Sequence, residues 1–180
     1  MRAAAVIIFL IVNFMVFGML DELRVPFGTF GRLGVAASFS FLAVLVHEVG
    51  HAIVAHRLGA VVLTVRVFFV HLQLSPRRLR FCSPFGRDDV GGHVEYSVVE
   101  RWWTTRKDAL VAVAGPAANI VLALAAGPFA WAASTRSGAS LPSALIVLSV
   151  GMGVANLLPF PRSDGATIFR FVRMRTLGRR

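Results

Sequence analysis

Long apolar stretches alternate with short charged segments along this chain. Four stretches carry almost no charge, and each is near or above the ~18–20 residues needed to cross the hydrocarbon of a bilayer: Ala3–Leu20, Leu33–His56, Ala109–Thr135 and Ser137–Pro161. This pattern predicts an α-helical integral membrane protein, a single membrane-embedded domain over residues 1–180, with about four transmembrane helices. Their predicted bounds are about 3–20, 33–56, 109–133 and 143–160.

The loop of about 60–106, between spans two and three, has a different pattern. Polar and apolar residues alternate over His93–Val98, which is typical of a half-buried strand. Val61–Leu74 is rich in β-branched and aromatic residues and is followed by Ser75-Pro76, which breaks a strand. We therefore predict a small membrane-associated β-hairpin region. The basic tail, 162–180, mixes apolar residues with arginine and is expected to lie along anionic lipid headgroups.

Composition and charge support a membrane protein and predict its orientation. The chain is 56% hydrophobic and 16% charged, with a net charge of +10. Of its 19 basic residues, sixteen fall on one side of the four-span arrangement, in the loop and the two termini. The positive-inside rule then places both termini and the loop in the cytoplasm. The basic excess thus requires no nucleic-acid partner, and the arginine-rich, compact chain suggests a bacterial cytoplasmic membrane. We expect the first span to be an uncleaved anchor, not a signal peptide.

The segment His47-Glu48-Val49-Gly50-His51 is the strongest chemical signal in the sequence. In a helix this HExxH spacing puts both imidazoles on one face, where they can bind one metal ion, and the glutamate is the usual general base of such metalloproteases. The motif lies in the second predicted span, ~9–15 Å below its cytoplasmic end at Arg57. A carboxylate at this depth is costly, which indicates a functional role.

A catalytic zinc usually has three protein ligands, so a third must come from another element. Asp164 is the only acidic residue close to an apolar span downstream of the motif. Pro159 and Pro161 precede it and cannot continue a regular helix. A broken helix at membrane depth is tolerated where it lines protein or a wet cavity. The sequence therefore predicts that the chain turns Asp164 toward the metal, although an exposed aspartate at a helix end remains the alternative.

Together these motifs resemble the site-2 protease family of intramembrane metalloproteases (peptidase family M50). The resemblance spans about Leu33 to Gly165 and rests on three segments: His47-Glu-Val-Gly-His51, Gly115-Pro116-Ala117-Ala118-Asn119 and Asn156-Leu-Leu-Pro-Phe-Pro-Arg-Ser-Asp164-Gly165. A weaker match, Gly91-Gly92-His93-Val94, resembles a strand in the β-region of that family. Ser163 and Ala166 stand where the family commonly has leucine and glycine. The 180 residues leave no room for the PDZ or CBS domains of many members.

The resemblance implies a role for each motif residue. His47, His51 and Asp164 would hold one zinc ion per chain, and Glu48 would move the protons of peptide hydrolysis. Asn156 would donate to the oxyanion of the tetrahedral intermediate, or else form a hydrogen bond at a helix end. Asn119, with Gly115 and Pro116, would position substrate or pack the helices.

The implied activity is cleavage of a peptide bond in or near the transmembrane segment of a membrane-protein substrate. A metal-binding transporter-like protein and a catalytically silent membrane scaffold are the alternatives. Four spans without an inverted repeat argue against transport. The remaining histidines, His56, His71 and His93, are not expected to be ligands.

Overall fold

The computed structural model describes residues 11, 13–21, 28–81, 91–98, 103–137 and 141–177, and all structural statements below concern these. A helical segment, 13–21 (α1), comes first. Four further helices are α2 (Thr29–Arg57), α3 (Thr105–Ser137), α4 (Leu141–Leu157) and α5 (Asp164–Leu177). Between α2 and α3 lie the strands β1 (Val61–Val67), β2 (Val70–Leu74), β3 (Arg77–Phe81) and β4 (Gly92–Ser97).

Two of the described helices, α2 and α3, are long and apolar enough to cross a membrane. They contain the predicted second and third spans, 33–56 and 109–133, and both helices begin about one turn earlier; α3 also ends about one turn later. The predicted first span, 3–20, lies mostly outside the described residues. The structure is thus mostly helical with a small sheet, as predicted, and the four-span arrangement stays a prediction.

α4 differs from the predicted fourth span, 143–160. It is a 17-residue helix that begins at Leu141 and ends at Leu157, three residues before the predicted end. The helix stops here because proline disfavours helical geometry in the residue before it, and Pro159 cannot donate a backbone hydrogen bond. Hydrophobicity continues to Phe160, so the apolar pattern alone extends past the true helix end.

The four strands form one antiparallel sheet in the order β3-β2-β1-β4. This confirms the predicted β-hairpin region and includes the strand expected at 93–98. Gly59 ends α2 with a φ of 96°, a left-handed conformation that glycine adopts without steric cost. The chain therefore turns directly from the end of α2 into β1.

A cluster of side chains ties the end of α2 to β4 and to the start of α3. The Lys107 ammonium donates to the Leu58 carbonyl at 3.0 Å and lies 5.3 Å from the centre of the Trp103 ring. Trp103 Nε1 donates to Asp108 at 2.6 Å, and its ring packs 5.6 Å from that of Tyr96. Burial, together with the nearby Asp108 carboxylate, raises the pKa of the Tyr96 phenol.

The N-terminal half of α2 packs against α1 and α4. The shared core consists of small and aliphatic residues from all three helices: Val16, Leu20, Ala36, Ala43, Ala144 and Leu148. Ser40 donates to the Asn13 side chain at 2.5 Å, and Arg32 pairs with Asp21. The C-terminal half of α2 packs instead against α3 and the sheet.

α2 and α3 pack closely at Gly50. A Cβ atom at this position would lie 2.7 Å from both the Ala114 carbonyl oxygen and the Ala118 methyl carbon. Neither neighbour is the flexible end of a side chain, so neither can move aside cheaply. The small residues therefore set the distance between the two helices, as is common where helices pack in membranes.

Adding one methyl group at Gly50 should separate α2 from α3. We expect Gly50→Ala to lower the melting temperature of the metal-stripped protein in detergent, although alanine normally favours a helix by about 0.5–1 kcal/mol over glycine. Gly34→Ala is the matched control, because a Cβ there meets nothing within 4 Å and Gly34 lies in the same helix. Equal melting temperatures for the two variants would contradict this account of the packing.

Candidate metal centre

α2 places the two histidines of the HExxH motif on one buried face. His47 is 3% exposed and His51 is 9% exposed. Their Nε2 atoms are 3.1 Å apart, and their rings meet edge to face. The structure thus brings the two imidazoles together as their i, i+4 spacing predicts.

Asp164 completes the group from the opposite end of the chain. Its Oδ2 lies 3.0 Å from Nε2 of His47 and its Oδ1 lies 3.3 Å from Nε2 of His51. It is the first residue of α5, after the turn that contains the two prolines. The alternative of an exposed aspartate at the headgroups is therefore not what the structure shows, because the carboxylate faces both histidines.

The residues on either side of Asp164 fix its position. Ser163 caps α5, since its Oγ accepts a hydrogen bond from the Ala166 N–H at 3.1 Å and donates toward the Phe160 carbonyl at 2.7 Å. Gly165 is buried against the end of α4, where a Cβ would lie 2.5 Å from the Leu158 carbonyl oxygen. The serine that departs from the family pattern thus has a structural role here.

The donor atoms of the three side chains lie close enough together to bind one metal ion. Bonds of about 2.0–2.1 Å in tetrahedral geometry hold ligand atoms about 3.3–3.4 Å apart. The two Nε2 atoms are 3.1 Å apart, and the Asp164 carboxylate approaches them with different oxygens, Oδ2 at 3.0 Å from His47 and Oδ1 at 3.3 Å from His51. Two imidazoles and one carboxylate are also a common donor set of catalytic zinc sites, which leave a fourth position for water or substrate. Within the described ranges, this is the one group of three such side chains that could hold a metal.

α3 supports the two histidines with its backbone. His51 Nδ1 lies 2.6 Å from the Val111 carbonyl oxygen, so Nδ1 carries the proton and Nε2 is free to bind a metal. One turn later, a Cβ at Gly115 would lie 2.6 Å from Nε2 of His47 and from Cε1 of His51. Glycine is therefore required at 115 to leave room for both rings.

Glu48 lies beside the donor group and against the sheet. It follows His47 in α2 and is 7% exposed. A Cβ at Gly92, the first residue of β4, would lie 2.6 Å from Cγ of Glu48. The sheet thus packs directly on this side chain and limits the positions that it can adopt.

The remaining predicted residues occupy different surroundings. Pro116 is an internal residue of α3 next to Gly115, where it removes one backbone donor from the helix. The Asn156 amide donates to the Met152 carbonyl of its own helix at 3.2 Å. Its role as an oxyanion donor stays a prediction. Asn119 is fully buried, and its Nδ2 lies 3.3 Å from Nδ1 of His47.

Sequence reasoning missed two contributors to the site. Val111 acts through its carbonyl oxygen, so its side chain gives no signal of the role. Gly92 belongs to a noted glycine pair, but its contact with Glu48 follows from how the sheet packs on α2. The other histidines do not join the donor group: His56 and His93 are exposed, and His71 lies in β2.

Comparison with known proteins agrees with this geometry. The sequence matches none of the curated proteins with which it was compared. The family model of Peptidase family M50 matches residues 35–140, more than half of the chain. The matched range includes the HExxH motif, the sheet and the part of α3 that contacts the histidines, whereas Asp164 lies beyond it. On this match, the chain belongs to peptidase family M50.

Proposed function

We propose that this protein is an intramembrane zinc endopeptidase that cleaves a peptide bond in or near the transmembrane segment of a membrane-protein substrate. The observation that carries the proposal is the buried donor group of His47, His51 and Asp164, with Glu48 adjacent on the same helix. Membership of peptidase family M50 supports a metalloprotease activity.

The side chains divide the chemistry between them. A zinc ion held by the three donors would supply Lewis acidity, which makes a water molecule more acidic and polarises the scissile carbonyl. Glu48 would accept the proton of the attacking water and deliver it to the leaving amine. The packing of Gly92 against Glu48 restricts the carboxylate, which favours a fixed geometry for this transfer.

The sheet offers a way to hold the substrate. A transmembrane helix must unwind to be cut, because its backbone carbonyls are otherwise engaged. β4 is an edge strand, paired only with β1 among the described residues, and its first residue touches Glu48. An unwound segment that paired with the outer edge of β4 would run past the general base.

The location and the alternatives follow from the same features. The charge asymmetry supports cytoplasmic termini and cleavage near the cytoplasmic side. The compact, arginine-rich chain supports a bacterial cytoplasmic membrane.

Neither a metal transporter nor a silent scaffold requires a buried carboxylate next to the metal donors. The role of Glu48 therefore distinguishes the endopeptidase from both alternatives.

Metal content tests the donor group directly. The detergent-purified wild type should contain about one zinc ion per chain, and Asp164→Ala should lose most of it because two imidazoles alone hold zinc weakly. The metal is measured by mass spectrometry after dialysis. Asp108→Ala, which removes an aspartate from the first turn of α3, should keep the wild-type content. Full zinc content in Asp164→Ala would show that the third ligand is elsewhere.

Replacing Glu48 by glutamine should separate metal binding from catalysis. We expect Glu48→Gln to keep zinc and to lower cleavage by about 10²–10⁴-fold, the range for loss of a general base. The assay reconstitutes the enzyme with a panel of fluorescently labelled single-span segments and identifies products by mass spectrometry. Asp21→Asn, a control that removes a carboxylate at the end of α1, should cleave normally. Undiminished turnover in Glu48→Gln would rule out the general-base role.

A methyl group at position 92 should displace Glu48 without touching a metal donor. We expect Gly92→Ala to keep zinc while cleavage falls about tenfold to a hundredfold, since a displacement of 1 Å can cost ~10²-fold in rate. Gly34→Ala serves as the control in the same cleavage assay. Wild-type cleavage by Gly92→Ala would mean that β4 does not position the carboxylate.

A further inference from the structure

Asn119 carries an unsatisfied polar atom at the centre of the helix bundle. The residue is 0% exposed. Among the buried side-chain nitrogen and oxygen atoms of the described residues, only its Oδ1 and Ser149 Oγ have no hydrogen-bond partner. Buried side-chain oxygens are nearly always hydrogen-bonded, so an orphaned one calls for a physical explanation. Its amide nitrogen, in contrast, lies 3.3 Å from Nδ1 of His47.

The two tautomers of neutral His47 require opposite orientations of this amide. Without a metal, Nε2 of His47 can carry the proton and donate to Asp164, and Nδ1 then accepts from the Asn119 Nδ2. When Nε2 binds a metal, the neutral ring carries its proton on Nδ1. An N–H of the amide would then face an N–H of the imidazole, which is repulsive.

We propose that Asn119 is a positioning residue for the metal centre, whose Oδ1 accepts the Nδ1 proton of His47 when the metal is bound. A rotation of the amide by 180° about its terminal bond exchanges oxygen and nitrogen within the same space. This rotation would pair the oxygen with Nδ1 of His47 and fix His47 in the tautomer that ligates through Nε2, while the amide nitrogen takes the position in which the oxygen had no partner. The proposal rests on the zinc site of the proposed function.

The pairing of His51 with α3 supports this assignment. His51 already donates from Nδ1 to the Val111 carbonyl, the outer contact expected of a metal-ligating histidine. Val111, Gly115 and Asn119 follow one another at four-residue intervals along α3. Val111 contacts His51, Gly115 lies against both imidazole rings, and Asn119 contacts His47. One stripe of α3 thus serves both ligands, with a backbone acceptor for one histidine and a side-chain acceptor for the other.

Burial excludes direct contact of Asn119 with substrate, since none of its surface is exposed. The residue also packs against α4, where a Cβ at Gly153 would lie 3.6 Å from its own Cβ. A purely structural role would make the volume of the side chain matter. A positioning role makes the acceptor oxygen matter, and the two can be separated experimentally.

The test measures zinc affinity in the full-length protein, by competition with a chromophoric chelator in detergent. Asn119→Leu keeps the approximate volume but removes the acceptor, and it should bind zinc about 10–100-fold more weakly. Asn119→Asp keeps an acceptor oxygen, loses the donor and adds a negative charge that favours a metal-bound imidazole, so its affinity should not fall by more than about threefold from wild type. Ser149→Ala, the control at the other orphaned and fully buried polar side chain, should bind zinc as wild type does.

The outcomes distinguish this proposal from the metal site itself. Wild-type affinity in Asn119→Leu, or equal losses in the leucine and aspartate variants, would overturn the role of Asn119 while leaving the zinc centre intact. A wild-type protein without zinc would overturn both. If Asn119→Leu does not accumulate as folded protein, Asn119→Val takes its place, because it also removes the acceptor without emptying the space, and the contrast with Asn119→Asp still decides.

Discussion

Polar side chains buried in an apolar helix bundle are stable only when each one has a hydrogen-bond or charge partner. The convergence of His47, His51 and Asp164 is the interaction on which the rest of the structure depends. α2 supplies the two imidazoles and α5 supplies the carboxylate. α3 holds the imidazole of His51 from behind through the Val111 carbonyl. Each element can serve the site only if it approaches the others closely.

Glycine occurs where the helices and the sheet pack closely around the site. Gly50 brings α2 onto α3, and Gly115 leaves space for the two rings. Gly92 admits the sheet to Glu48, and Gly165 seats the start of α5 on the end of α4. At each of these positions a single methyl group would overlap backbone atoms or the functional side chains themselves. The same glycines therefore determine both how the elements pack and how the side chains of the site are arranged.

Much of this arrangement could be predicted from the sequence. The i, i+4 histidines and the acid after two prolines identify the donor group, because both signals depend on local geometry. The alternating pattern of residues 93–98 identifies a strand for the same reason. The contact of Gly92 with Glu48 could not be predicted, since it depends on sheet register and on how the sheet lies against α2. The Val111 acceptor is backbone, which any residue could supply. The end of α4 at Leu157 could not be predicted from the apolar pattern, because apolar residues continue past the point where the backbone stops being helical.

The distance in sequence between the donors has a consequence for biogenesis. Asp164 lies 117 residues after His47 in the chain. A ribosome must therefore synthesise the sheet, α3 and α4 before the third donor can meet the first two. Until Asp164 has been made, the nascent chain carries only two of the three donors, so its metal centre is incomplete while the elements between them are synthesised. The order of the donors along the polypeptide thus delays formation of the centre until α5 is in place.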